Sequence, residues 1–171
     1  MSKGFLVVAQ NGQYDYIRMA YALAMSLKLS QSEHSNLSVM VNEGQKVERK
    51  EIFDKIIPVP KIDAPWKIQN KWQYFWLSPY DETIVLDADM LFFHDISHWW
   101  EVLKDKEIEF TTTTKNYRGI DTTSDYYRKT FTKNKLPNLH TALFYFKKTP
   151  IVEQYFKMVK LIFHNWEVFY E

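Results

Sequence analysis

The sequence predicts one α/β domain, a largely parallel, Rossmann-like sheet with helices on both faces. Three observations carry this reading. Short apolar runs of β-favouring residues alternate with helical patterns, as in parallel strands joined by crossover helices. The chain has 171 residues, enough for a single domain over residues 1–171 with a real core. The run Thr83-Ile84-Val85-Leu86-Asp87-Ala88-Asp89-Met90-Leu91-Phe92 delivers two carboxylates to the end of an uncharged strand, where sheets of this kind bind ligands.

Phe5 to Ala9 is an apolar run that reads as a first buried strand, with Asn11-Gly12-Gln13 as the loop after it. From Tyr14 to Leu29, Ile17, Tyr21, Ala24, Met25 and Leu27 give a helical pattern among good helix formers. Leu37 to Val41 reads as a second strand and Val47 to Phe53 as a polar helix. Ile56-Ile57-Pro58-Val59-Pro60 reads as a short edge strand, because proline cannot donate to a central ladder. Trp66 to Leu77 is aromatic with a helical pattern and is closed by Ser78-Pro79-Tyr80, after which comes the strand carrying Asp87. Ser97 is placed to cap a helix running to Lys104, and Ile108 to Thr114 is a threonine-rich strand. Lys115 to Asn138 is polar and irregular, a mobile loop with a short helix that serves either as a solvated connection or as an active-site lid. Leu139 to Phe146 is a strand, and Pro150 starts a last helix with an apolar stripe of Ile151, Val152, Tyr155, Met158, Val159, Ile162, Phe163 and Trp166.

Composition removes several function classes. Lys plus Arg number 22 against 21 Asp plus Glu, so no global charge calls for a nucleic-acid partner. The absence of Cys excludes disulfides, thiolate zinc sites and a cysteine nucleophile. Gly numbers 4, and neither a Walker loop nor a Gly-x-Gly-x-x-Gly fingerprint is present. The N-terminal apolar stretch turns polar by Gln10, too short for a signal or a membrane span, and a cytoplasmic protein is expected.

Residues i and i+2 of a strand face the same way, so Asp87 and Asp89 are expected to converge while Ala88 points away. Converging carboxylates repel unless a cation or proton lies between them. Hard oxygen ligands suit Mg²⁺ or Mn²⁺, which bridge to phosphate oxygens. The local reading is a divalent metal site for a phosphorylated ligand; the alternative is two solvated turn residues.

Three segments, in order, resemble the GT-A fold of nucleotide-sugar-dependent glycosyltransferases, especially the glycogenin-like retaining hexosyltransferases. Val8 to Tyr16, followed by Ala20 to Leu27, is similar to that family's first strand, nucleotide-binding loop and first helix. Lys71 stands where the family has a basic residue near the donor diphosphate, and Ile84 to Leu91 resembles its hydrophobic strand and Asp-x-Asp motif, with Asp95-Ile96 after it. The resemblance implies donor binding by Ala9, Asn11, Tyr14, Tyr16, Lys71, Asp87 and Ala88. It also implies Mn²⁺ or Mg²⁺ held by Asp87 and Asp89, with Asp87 also approaching the ribose. The chain departs from the family where His140-Thr141-Ala142 replaces an Asn-Ser-Gly-like triplet, and no Asp-Gln motif or late metal-binding His has a clear counterpart. With the apolar stripe still running near Tyr170-Glu171, the domain is expected to be C-terminally incomplete.

Other residues keep two readings. Tyr14 and Tyr16 suit either packing or contact with a nucleobase, and Trp66, Trp72 and Trp76 suit the core better than a sugar platform. His140 is a structural strand-start residue or a late cleft residue; His94, His98 and His164 read as surface or capping residues. Lys129, Lys133, Lys135, Lys147 and Lys148 read as a solvated basic face. The expected function is transfer of a hexose from a nucleotide-diphosphate sugar, a UDP-sugar, to an unidentified hydroxyl of a glycan, protein or lipid-linked acceptor. No nucleophile or base is identified. The rivals are a non-catalytic nucleotide-sugar-binding domain and a haloacid-dehalogenase-type phosphohydrolase. The latter's motif opens the chain and continues with a small hydroxyl residue, whereas here Met90-Leu91 follows mid-chain.

Overall fold

The computed structural model describes residues 1–60, 71–115, 118–120, 133–137, 139–165 and 167–168. The apolar runs become strands β1 (Lys3–Val8), β2 (Leu37–Asn42), β3 (Ile56–Val59), β4 (Glu82–Asp87), β5 (Ile108–Thr111) and β6 (His140–Lys147). The helices are α1 (Tyr16–Ser30), α2 (Tyr74–Leu77), α3 (Trp99–Leu103) and α4 (Pro150–His164). One six-stranded sheet has the order β3-β2-β1-β4-β6-β5. Strands β3, β2, β1 and β4 pair in parallel, and β6 runs antiparallel between β4 and β5.

Both faces of the sheet are covered, because the apolar residues of its central strands alternate between two cores. Phe5, Val7, Ile84 and Leu86 pack on one face with Ile17, Leu23 and Leu27 of α1 and Trp100 of α3. Leu6, Val85, Phe144 and Phe146 pack on the other with Tyr74 of α2 and Val152 and Phe156 of α4. Helix α1 starts where Asp15 accepts a hydrogen bond from the Arg18 amide, which satisfies a backbone donor left free in the first turn. Pro150 occupies the first turn of α4, where its missing N–H costs nothing. As expected from its prolines, β3 is an edge strand. Among the described residues no helix is long and apolar enough to cross a membrane.

Several expected elements are corrected. The polar helix over Val47 to Phe53 is a single 3₁₀ turn, Lys50–Ile52. Val47, Ile52 and Phe53 are buried against α1, and the Tyr21 hydroxyl accepts from the Glu48 and Arg49 amides, so tertiary contacts hold this backbone outside a helix. Of the helix expected over Trp66 to Leu77, residues 71–77 are helical, a 3₁₀ turn at 71–73 running into the short α2, while Lys61 to Asn70, with Trp66, lie outside the described residues. Ser97 does not cap α3; its hydroxyl bonds the backbone of Glu33, and His98 occupies the cap position without a side-chain bond. Much of the expected loop over Lys115 to Asn138, including Lys129, and Trp166, Tyr170 and Glu171 also lie outside the described residues. Lys148, exposed as expected for the basic face, also donates to the Ser78 carbonyl, and partial burial lowers its pKa.

Candidate functional site

The site follows from sheet order. The chain lays down β2 and β3 on one side of β1 and then returns to place β4 on the other, so a crevice opens between β1 and β4 at their carboxyl ends. Register puts Val8 beside Asp87 there. Because β6 is antiparallel, with Leu143 opposite Leu86, its first residues lie beside the end of β4. The same crevice thus receives side chains from β1, the loop before α1, α2, β4 and β6.

A cavity of about 270 Å³ occupies this position, lined by Val8, Gln10, Tyr16, Lys71, Tyr74, Asp87, Ala88 and Asp89. Asp87 is the last residue of β4 and faces the same side of the sheet as Val85. The Lys71 ammonium lies 3.6 Å from Asp87 Oδ1 and donates to Thr141 Oγ1 at 3.2 Å. Burial raises the Asp87 pKa; Lys71 opposes this shift and the neighbouring charge of Asp89 adds to it. Tyr74 is buried, and its phenol pKa is pushed up first by burial and then by the Asp87 charge.

The two carboxylates share the cavity, but not by strand alternation. The strand ends at Asp87, and Ala88 and Asp89 form a turn in which the Met90 amide donates to the Asp87 carbonyl at 3.3 Å. Ala88 is buried in the core on the α1 side and anchors this turn, leaving Asp89 exposed. Among the described residues no third His, Asp or Glu joins them in a metal-binding group.

The remaining residues singled out from the sequence take different places. Ala9 is buried; its amide donates to the Met40 carbonyl at 2.8 Å and its carbonyl accepts from Gln45 Nε2 at 3.0 Å. Asn11 Oδ1 accepts from the Ile17 amide at 2.9 Å and its Nδ2 donates to Asp15 at 3.0 Å, which ties the loop to the start of α1. These two residues shape the loop, whereas Tyr16 lines the cavity and Tyr14, 56% exposed, packs edge-on to it at 6.3 Å. His140 begins β6, 3.5 Å from the Thr114 hydroxyl, and does not line the cavity. Trp72 and Trp76 are outside both cores: they stack edge-to-face at 5.8 Å, Trp72 meets His164 of α4, and Trp76 is exposed.

Sequence reasoning left Val8, Gln10, Tyr74 and Thr141 out of the site. Val8 and Gln10 flank Ala9, and Tyr74 is three residues from Lys71, so neighbouring positions carried a signal for those three. Thr141 reaches Lys71 across a sequence separation of 70 and had none. Chemically, the cavity offers two carboxylates for a hard cation, an ammonium for an anion, and a phenol.

No protein-family model matches the chain, and no curated protein sequence matches it. Solved structures do. The galactosyltransferase LgtC, in complex with donor and acceptor sugar analogues, superposes with a TM-score of 0.60 at 10% identity, over 90% of this chain and 59% of LgtC. Mouse xyloside xylosyltransferase 1 gives a TM-score of 0.58 at 12% identity, over 95% of this chain and 72% of that one. The bifunctional glycosyltransferase WbbM gives 0.57 at 14% identity, again over 95% of this chain, which spans only 34% of WbbM. By its architecture, this chain therefore has the GT-A fold found in these glycosyltransferases.

Proposed function

We propose that the chain binds a nucleotide-diphosphate sugar, specifically a UDP-hexose, and serves its transfer to a hydroxyl acceptor. The observation that carries this reading is the meeting of Asp87, Asp89 and Lys71 in one cavity at the β1/β4 crevice of a GT-A fold. The donor set fits Mn²⁺ or Mg²⁺: the carboxylates of Asp87 and Asp89 are hard oxygen ligands, and these cations keep bound waters when the protein supplies few ligands. When bound, such a cation supplies charge stabilisation for a departing diphosphate. Lys71 adds a positive charge beside the same group, held in place by Asp87 and Thr141. The glycogenin-like character belongs to this proposal as well; the stereochemical outcome is left open, since no nucleophile or base is assigned. The loop built on Ala9 and Asn11, with Tyr14 and Tyr16 after it, is the proposed seat of the nucleoside.

One observation favours binding with little turnover: among the described residues the two carboxylates have no third metal-ligating partner. An incomplete ligand set leaves a cation less rigidly placed, which costs transition-state positioning more than ground-state binding. Calorimetry with UDP and Mn²⁺ tests the reading. Binding should vanish with EDTA, and Asp89→Asn should weaken it at least tenfold, ~1.4 kcal/mol. Equal UDP affinity with and without the metal refutes the metal-bridged site.

A further inference from the structure

Tyr74 opens α2 three residues after Lys71, and the helical run from 71 to 77 sets the two side chains on one face. Its ring packs against Phe144, centroids 5.7 Å apart, in the core beneath the sheet, and the residue is 1% exposed. It nevertheless lines the cavity beside Lys71 and Asp87. Its hydroxyl has no hydrogen-bond partner among the described residues.

The ring does the packing that a Phe would do equally well. The hydroxyl adds a polar group to a buried residue, a cost to the ligand-free fold that an incoming partner offsets. Phosphate oxygens accept hydrogen bonds and donate none in the ionised state, and a phenol with an ordinary pKa near ~10 is a donor at neutral pH. Burial, and after it the charge of Asp87, push its pKa up from that value. We propose that the Tyr74 hydroxyl donates to a phosphate oxygen of the bound nucleoside diphosphate, forming with Lys71 a two-donor clamp supplied by one helical segment. This rests on the diphosphate reading above.

The test compares wild type with Tyr74→Phe, which keeps the ring and removes only the donor. With Mn²⁺ present, calorimetry with uridine and UDP should show UDP affinity falling about tenfold, ~1.4 kcal/mol, while uridine affinity is unchanged. The ligand-free unfolding temperature should be equal to or above that of wild type, because a polar group without a partner has been removed. A lowered unfolding temperature with an unchanged UDP-to-uridine ratio overturns the proposal and makes the hydroxyl a structural one. Wild type that does not prefer UDP over uridine brings down the diphosphate reading together with this one. A wild-type preference for UDP that Tyr74→Phe leaves intact removes Tyr74 alone.

Discussion

Gly4→Ala tests how the strand beneath the site is built. Gly4 lies in β1 opposite Thr83 of β4, and a Cβ there would sit 2.6 Å from Cε1 and Cε2 of Tyr80 and closer still to Cζ. The ring cannot swing aside cheaply. Tyr80 is buried, its hydroxyl donates to Asp54 at 3.0 Å, and Ser38 Oγ lies 2.8 Å from the same oxygen. Expelling the ring forfeits a bond to a carboxylate, ~1.5–3 kcal/mol, and a neutral one, ~0.5–1.5 kcal/mol, together with ~1.5–3 kcal/mol of burial for an aromatic side chain. Shifting β1 instead costs ~1–3 kcal/mol of overpacking strain. The cheaper route wins, so ~2–3 kcal/mol is expected, a sizeable part of the ~5–15 kcal/mol that holds a domain together. In urea, with a slope of ~2 kcal/mol/M, the midpoint should fall by about 1–1.5 M at unchanged slope. In a Tyr80→Ala background the methyl has room, and the same substitution should cost almost nothing. Because the ladder containing Gly4 runs on to Val8 opposite Asp87, UDP affinity should weaken too. A Gly4→Ala cost within ~0.5 kcal/mol of zero, or an equal cost in both backgrounds, refutes the reasoning.

Three further predictions concern charge. The Asp87 pKa is raised by burial, so its ionised form opposes folding and ligand-free stability falls as pH rises through the carboxylate range. Asp87→Asn should therefore leave the unfolding temperature at pH 7 unchanged or higher while abolishing Mn²⁺-dependent UDP binding; a large drop in unfolding temperature would contradict this. Lys71→Ala removes the ammonium beside Asp87 and should cost UDP a charge-assisted contact, ~1.5–3 kcal/mol, but uridine much less; calorimetry with both ligands separates this from misfolding, which would affect them equally. Asp95 has the opposite sign from Asp87: hydrogen bonds from Ser32 and Ser97 hold its carboxyl well below the usual range. Its contribution to stability is present at neutral pH and lost as pH falls below the unfolded value of ~3.9, so Asp95→Asn should flatten the acid limb of a stability–pH curve.

The strands and the two long helices were legible because their signals are local and redundant. A run such as Thr83 to Leu86 has no other way to bury itself, and α1 carries both its apolar spacing and its Asp15 cap in one stretch. The misreadings came where a tertiary contact outbids a local preference. Tyr21, 27 residues from Glu48, takes the amides that a helix over Val47 to Phe53 would have arranged otherwise. Glu33 competes for the Ser97 hydroxyl across 64 residues. The Trp72 and Trp76 pair has a helical spacing that looks like a core face, yet α2 is four residues long and its inner face is filled by Tyr74.

By itself the sequence determined the alternation of strands and helices, the coverage of both sheet faces, and the arrival of two carboxylates at a strand end. Each of these depends on neighbours within a few residues, through strand and helix periodicity and the burial of apolar side chains. Only the tertiary structure decided which groups meet those carboxylates. The antiparallel entry of β6 brings Thr141 to Lys71, the parallel register of β1 brings Val8 and Gln10 to Asp87, and a turn rather than a strand presents Asp89. Strand order is fixed by the free energy of packing the whole sheet between its two layers of helices, a sum over distant contacts that no local pattern contains.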